Sequence, residues 1–394
     1  MITQRLREPR DATPELRELA GTRDAMSGRV RIPAKLHEHL GRLFPDHRVI
    51  SIEPLAPDTG ATHDATTKAA GYGKPVRIGL ADPKGNRREV VWRTQAGDEF
   101  GHDRRADRAA NAVLAFDDFA RIPRHIEAID VGTMSADGEL TSIRGEPYLI
   151  TSYAPGQIYA DLLRQVAREG RAKELDLARV DALAHYLARL HATPLEPELA
   201  NPRYRRAIRD LIGHGEGIFG MIDGYPPVEG ASPRRLQAIE RACVEWRWRL
   251  REHEHRLART HGDFHPFNIV FEAGTTFSVL DASRGTCGDP ADDVIALSIN
   301  FLLFAIDQQG GWNALGPLWH RFWSSYLTAR PDHELTEVAP PFFAWRALVV
   351  CNPRFYPSLS SEGRETLLGL AECALETHHF DPMWADQLFR CWAA

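Results

Sequence analysis

The sequence lacks several features by which other classes of protein are identified. Its 394 residues contain five cysteines, an odd number without C-x-x-C spacing, so we expect neither a disulfide framework nor a zinc knuckle. The formal net charge is -6, and the sequence offers no stripe of basic residues, which argues against a nucleic-acid partner. No apolar run is long enough to cross a bilayer, and the first residues lack the apolar core of a secretion signal. We therefore expect a cytoplasmic protein with no membrane partner.

The remaining composition is typical of a globular enzyme-sized chain. Hydrophobic residues make up 43% and charged residues 26% of the sequence. A chain of 394 residues is long enough for two lobes with a substantial buried core. Low-complexity segments and internal repeats are absent from the sequence.

The most informative segment is His261-Gly-Asp-Phe-His-Pro-Phe-Asn268, the motif loop, which is followed by Val279-Leu-Asp281. Phosphoryl transfer requires a group that orients the acceptor hydroxyl and oxygen ligands that hold Mg²⁺ against the nucleotide. Asp263 would accept or orient the acceptor proton, while Asn268, through its amide oxygen, and Asp281 would hold metal ions. Two short apolar runs flank the polar segment 272–276, and this pattern predicts a β-hairpin that carries Asp281 back beside the motif loop.

The histidines of the motif loop allow other interpretations. His261, Asp263 and His265 alternate as the ligands of a zinc hydrolase do. His261 can instead be an internal hydrogen-bonding residue that supports the loop main chain, and this is the role we favour for it. His265 stays unassigned. The complete motif with a following Asp is more restrictive than D-x-x-x-x-N alone, and it favours phosphoryl transfer.

These segments together resemble the aminoglycoside phosphotransferase and choline kinase group, whose motif continues with G-D-P-x-x-D, here Gly288-Asp-Pro-Ala-Asp-Asp293. The resemblance implies an α+β, bilobal protein-kinase-like fold, with an antiparallel sheet and a helix in the small lobe and a mainly helical large lobe. It implies a kinase that uses ATP, or GTP, with Mg²⁺ to phosphorylate the hydroxyl group of a small molecule. The acceptor and the oligomeric state are left open.

The third part of the motif also has a structural interpretation. Asp289 before Pro290 is a typical helix N-cap followed by proline at the first helical position, and acids such as Asp293 suit the positive end of a helix dipole. Structural support is therefore the default role for both acids. The resemblance implies that Asp293 additionally braces the motif loop.

We divide the chain into an N-terminal helical extension (1–45), a small nucleotide-binding lobe (46–152) and a large catalytic and acceptor-binding lobe (153–394). Residue alternation and a turn-forming cluster at 82–86 predict the small-lobe sheet. The predicted strands are Arg48–Leu55, Val76–Leu80 and Glu89–Thr94, and the predicted helices are Asp103–Phe119, Leu175–His191 and about Pro233–Leu257. The glycine-rich segment 213–224 lies where the resembled family inserts acceptor-binding elements.

An ion pair is predicted on the nucleotide side. Arg93 stands where the resembled family has a phosphate-gripping lysine, and Asp107 stands where it has the paired glutamate. A longer guanidinium opposite a shorter carboxylate would restore the reach of the pair and offer a bidentate phosphate contact. The alternative is that Arg93 points to solvent.

Other nucleotide contacts are predicted from the main chain. Gly71 and Gly73 belong to a small-residue segment suited to cradling phosphates, although they form no G-x-G-x-x-G and an ordinary turn explains them equally well. Ser152 and Ala154 follow an apolar run that resembles the adenine-binding connection between lobes. A competing hypothesis, a degenerate kinase that binds nucleotide without turnover, is favoured by the changes at 93 and 107. It is disfavoured by the three retained groups of the motif.

Overall fold

A computed structural model divides the chain into two units, Met1–Ile150 and Thr151–Ala394. The structure describes residues 33, 35–54, 75–95, 97, 101–121, 123, 126–143, 145, 151–193, 195, 200–282, 285–308 and 311–392. No helix in these ranges is long and apolar enough to span a membrane. The first unit contains an antiparallel sheet and the second is mainly helical, which confirms the predicted α+β class.

The first unit is built on a three-stranded antiparallel sheet in the order β1 (Arg48–Pro54), β2 (Val76–Ala81) and β3 (Arg87–Trp92). The central strand is the most buried because it packs on the core and has a neighbour on each side. The reversal after β2 is closed by Asp82, whose side chain accepts a hydrogen bond of 2.8 Å from the Asn86 N–H. All three predicted strands are confirmed, with bounds of Arg48–Pro54 (β1), Val76–Ala81 (β2) and Arg87–Trp92 (β3).

Helices and a second hairpin complete the first unit. Helix α1 (Leu36–Leu43) buries Leu36 and Leu40 in one cluster with the β2 side chains Ile78 and Leu80. Within the predicted extension, residues 1–32 and 34 lie outside the described residues. Helix α2 (Arg105–Asp118) forms where a helix was predicted, and it has no buried residue. Strand β4 (Gly132–Met134) pairs with β5 (Leu140–Ser142).

The second unit surrounds a central helix, α8 (Pro290–Ile306). Its sequence is largely apolar, and all its residues except Asp292 are buried, as expected for a helix enclosed by others. Helix α9 (Gly311–Ala329) packs on α4 (Glu174–His191) and α8, while α11 (Pro340–Val350) packs on α8 and α12 (Ser361–Thr377). The helices are α3 (Tyr159–Glu169), α4 (Glu174–His191), α5 (Ala200–Gly213), α6 (Ile218–Asp223), α7 (Pro233–Leu250), α8 (Pro290–Ile306), α9 (Gly311–Ala329), α10 (Leu335–Val338), α11 (Pro340–Val350), α12 (Ser361–Thr377) and α13 (Trp384–Trp392).

Two small sheets frame the motif loop. One joins β6 (Gln157–Ile158), β8 (Ile269–Ala273) and β9 (Thr276–Val279), and the other joins β7 (Ala258–Arg259) to β10 (Cys287–Gly288). Gly156, just before β6, has φ +133°, and a Cβ there would lie 2.3 Å from the carbonyl oxygen of Phe271. Glycine is therefore required for the chain to pass this close to β8.

The helix before the motif loop is shorter than predicted. We expected it to reach about Leu257, but α7 ends at Leu250 and a 3₁₀ segment continues to Arg256. The non-helical backbone of His253 (φ -104°, ψ 27°) interrupts the hydrogen-bond ladder. The segment after this interruption carries the buried Arg256, which binds acidic residues elsewhere in the second unit.

Candidate active site

The motif loop (residues 261–268) runs from β7 to β8 and ends in a 3₁₀ turn, Pro266–Asn268. Gly262 adopts φ +80°, a conformation that few other residues tolerate. His265 caps the turn, because its Nδ1 accepts a hydrogen bond of 3.2 Å from the Phe267 N–H. The loop is thus a short, locally bonded segment held between two strands.

Asp293 fastens the start of this loop to α8. Its buried carboxylate accepts hydrogen bonds from the main-chain N–H groups of His261 (2.7 Å) and Gly262 (2.8 Å). The Nε2 atom of His191 lies 3.1 Å from the same carboxylate. Burial opposes ionisation, but the hydrogen bonds and charge of His191 and the His261 N–H outweigh it and hold the pKa of Asp293 below its usual value. Asp293 therefore binds the main chain at the start of the motif loop.

Asp289 begins α8 as its N-cap, accepting a hydrogen bond of 2.9 Å from the Ala291 N–H. The guanidinium of Arg256 binds both carboxylate oxygens of Asp289, at 2.9 and 3.0 Å, and the hydroxyl of Tyr204 donates to one of them at 2.8 Å. Arg256 also binds Asp332, at 2.6 and 3.0 Å. This buried network fixes the end of α8 that supports the motif loop.

His261 is buried beneath the loop. Its Nδ1 accepts a hydrogen bond of 3.3 Å from the Asp263 N–H, and its ring also bonds the main chain of Leu280. Burial lowers the pKa of His261, so the neutral imidazole is favoured. In the described ranges, one group of three residues could hold a metal ion, because its ligand atoms all lie within 4.8 Å of one another. The group consists of His253, His255 and Glu334 and lies outside the motif loop. The local contacts of His261 are those of a main-chain support.

Asp263 and Asn268 are bonded to each other. The Asn268 amide nitrogen donates to the main-chain oxygen of Asp263 at 3.1 Å and to its Oδ2 at 3.2 Å. The amide oxygen of Asn268 is consequently the atom of this side chain that is suited to a cation. The Asn268 side chain therefore orients the Asp263 carboxylate and also offers an oxygen atom as a metal ligand.

The predicted hairpin is confirmed. Strands β8 and β9 pair antiparallel with Ile269 opposite Val279, and the Leu280 N–H donates to the Asn268 carbonyl at 2.8 Å. Asp281 follows immediately, is exposed, and adopts φ +51°. Strand pairing therefore brings the segment that carries Asp281 against Asn268.

One residue of this site, Arg346 on α11, was missed in the sequence analysis. Its guanidinium binds Asp263 Oδ1 at 2.8 Å and Asp292 Oδ1 at 3.3 Å. His265 Nε2 lies 3.4 Å from the other oxygen of Asp263. The available signal was an arginine inside the apolar run P-P-F-F-A-W-R-A-L-V-V, since a buried guanidinium requires an acidic partner. That signal does not identify the partner.

The predicted nucleotide-side pair lies in the first unit. The guanidinium of Arg93 lies over the ring of Phe119, 5.6 Å from its centroid. The Asp107 carboxylate accepts a hydrogen bond of 2.9 Å from the Arg104 N–H and so caps α2. The ion pair between Arg93 and Asp107 stays a prediction.

The other predicted nucleotide contacts are only partly within the described residues. Ser152 and Ala154 lie in an irregular segment before β6, with Ser152 exposed and Ala154 half-buried. Gly71 and Gly73 lie outside the described residues. The role of each of these four residues stays a prediction.

Comparison with known proteins identifies the family. Residues 81–322 match the phosphotransferase enzyme family, APH. Mouse acyl-CoA dehydrogenase family member 10 is 26% identical over 159 residues, which cover 40% of this chain and 14% of that protein. Plasmodium vivax ethanolamine kinase is 14% identical, with 76% of this chain and 79% of that chain covered and a TM-score of 0.33. A choline/ethanolamine kinase family protein from Mesorhizobium loti is 17% identical, with 72% and 79% covered and a TM-score of 0.31. The chain therefore belongs to the phosphotransferase enzyme family.

Proposed function

We propose that the protein transfers the γ-phosphoryl group of ATP, with Mg²⁺, to a hydroxyl group of a small molecule. The observation that carries this proposal is the junction of Asp263, Asn268 and the hairpin bearing Asp281, in which hydrogen bonds join the motif loop to the hairpin. GTP would serve the same apparatus if the adenine-side contacts accept guanine. The motif and the family match support the same reaction class.

The reaction forms a bond between the acceptor oxygen and the γ-phosphorus and breaks the bond between that phosphorus and the β–γ bridging oxygen. ADP leaves with the electron pair. Asp263 orients the acceptor hydroxyl and receives its proton, or passes it to solvent, as the new bond forms. The contact with Asn268 keeps the Asp263 carboxylate in one orientation, so that positioning supplies much of the rate enhancement.

The donor atoms at this junction fit Mg²⁺. Asn268 uses its amide nitrogen on Asp263, which leaves its oxygen, and Asp281 contributes an exposed carboxylate. Mg²⁺ prefers such hard oxygen ligands together with substrate phosphates and water. Bound there, Mg²⁺ would neutralise charge on the nucleotide phosphates. The loop-supporting residues His261, Asp289 and Asp293 would keep the ligand atoms in place.

Five residues are proposed to bind the nucleotide, and a sixth to orient one of them. We propose that Arg93, oriented by Asp107, contacts phosphate, that Gly71 and Gly73 contribute main-chain amides, and that the main chain at Ser152 and Ala154 meets the adenine edge. The acceptor would bind beside Asp263, in elements that include the segment 213–224. Amino-alcohols, sugars and aminoglycosides form the first panel to test, because the named relatives include ethanolamine and choline/ethanolamine kinases.

Release of ADP from MgATP should be measured against this panel, with ATP affinity measured separately by calorimetry. Wild-type protein is expected to turn over with at least one alcohol, whereas Asp263→Ala and Asp281→Asn should lose turnover by roughly 100-fold or more while remaining folded. Asp181→Asn, which breaks an exposed pair with Arg321, serves as the control and should leave turnover unchanged. Tight ATP binding by wild type without turnover on any alcohol would favour the degenerate kinase instead.

A further inference from the structure

Arg346 is a charged residue in an apolar setting. It lies in the middle of α11, whose described neighbours are almost all buried, and its side chain is only 6% exposed. Burying a guanidinium is unfavourable unless acidic partners compensate for the lost hydration. The identity of those partners therefore indicates why an arginine is placed there.

The shorter ion pair of Arg346 is with the proposed base. Its Nη1 lies 2.8 Å from Asp263 Oδ1, while its Nη2 lies 3.3 Å from Asp292 Oδ1. The guanidinium carbon also lies 4.0 Å from the ring centroid of Trp345. Arg346 Nε has no hydrogen-bond partner in the described part of the chain. Most of the polar contact of this buried side chain is thus directed at the two aspartates.

The two oxygens of Asp263 consequently have different surroundings. Oδ1 is engaged by the guanidinium at 2.8 Å. Oδ2 lies 3.2 Å from the Asn268 amide nitrogen and 3.4 Å from His265 Nε2.

We infer that Arg346 is a positioning residue for phosphoryl transfer, one that holds Asp263 as an oriented carboxylate. This inference rests on the proposed function. A guanidinium at 2.8 Å restricts the orientation of the Asp263 carboxylate. In a loose transition state the attacking oxygen needs little deprotonation, so orientation contributes more than basicity.

Helix α11 also links this carboxylate to the segment where acceptor contacts are proposed. Trp345, the residue before Arg346, donates its indole N–H to the Glu216 carbonyl at 3.1 Å, and Glu216 belongs to the segment 213–224. Just beyond α11, the Asn352 amide lies 3.4 Å from the sulfur of Met221 in the same segment. The helix that positions Asp263 is therefore bonded to the glycine-rich segment on the acceptor side.

The test compares Arg346→Lys, Arg346→Met and Arg346→Ala with wild type by ADP release from MgATP, using the best alcohol of the panel and water as acceptors. We expect Arg346→Met to lower kcat roughly 100-fold, because a displaced catalytic group costs about that factor, with KM for ATP nearly unchanged. Lysine should restore part of the rate, and added guanidinium should restore part of it in Arg346→Ala. Arg235→Met is the matched control, since Arg235 is 15% exposed and binds Glu365 and Glu372 away from the site.

Circular dichroism and ATP calorimetry establish that each variant is folded. If Arg346→Met does not fold, Arg346→Lys is compared with wild type instead, and we expect a fall in kcat at constant KM for ATP. Turnover within twofold of wild type in a folded Arg346→Met or Arg346→Lys protein would overturn the inference. A loss that neither lysine nor guanidinium restores would overturn it as well, because that pattern indicates structural support only. Absence of turnover in wild type would instead refute the proposed function.

Discussion

Replacing Asp293 with asparagine tests whether the motif loop depends on α8 for its position. The aspartate is fully buried and binds two main-chain N–H groups, at 2.7 and 2.8 Å, with His191 at 3.1 Å. A hydrogen bond to a charged group contributes about 1.5–3 kcal/mol, and asparagine keeps one acceptor oxygen while placing an NH₂ group against a second donor. We therefore expect a loss of about 2–4 kcal/mol in the free energy of unfolding.

Urea denaturation followed by tryptophan fluorescence is a suitable assay, because Trp92 alone among the nine tryptophans lies before residue 151. The control is Asp181→Asn, which removes an ion pair with an Arg321 side chain that is 53% exposed. Exposed pairs contribute about 0–1 kcal/mol, so the control should shift the midpoint little. Equal midpoints for Asp293→Asn and wild type would refute the idea that α8 holds the loop through this carboxylate.

Three further predictions follow from the same network and from the nucleotide side. Arg256→Met should destabilise the second unit by about 3–5 kcal/mol in urea denaturation, because it leaves the buried carboxylate of Asp289 without its charge partner and leaves Asp332 with Arg330 alone. An unchanged midpoint would contradict the network. Arg93→Ala should raise KM for ATP roughly tenfold in the ADP-release assay if Arg93 grips phosphate, and intact affinity and turnover would exclude that role. Burial lowers the pKa of His261, so the folded state binds fewer protons than the unfolded state and stability should fall as the pH drops below about 6.5. His261→Gln should weaken this pH dependence between pH 7 and 5, which thermal unfolding at several pH values would measure.

Local signals made much of the first unit and the motif loop predictable. Strands β1 to β3 were placed within a few residues because their apolar alternation is interrupted by a turn that Asp82 closes. The β8–β9 hairpin and the N-cap at Asp289 were also correct, since each depends on residues close together in the sequence. Such features need no knowledge of the rest of the fold.

Contacts between distant segments were not predictable in the same way. Arg346 and Asp263 are 83 positions apart, and no local sequence pattern indicates that they form an ion pair. The end of α7 was misplaced because helical propensity continues through His253, whereas the chain leaves the helix where Arg256 joins Asp289 and Asp332. In both cases tertiary ion pairing, and not local preference, determines the structure.

At position 281, the residue that best suits the backbone conformation differs from the residue that the proposed activity requires. Among described residues other than glycine, positive φ occurs only at Asp281 and His378. Glycine would adopt φ +51° with less steric strain, but it has no side chain with which to bind a cation. Selection for thermal resistance alone would tend to remove the aspartate, so a stabilised variant of this enzyme that carries glycine there should be checked for activity first.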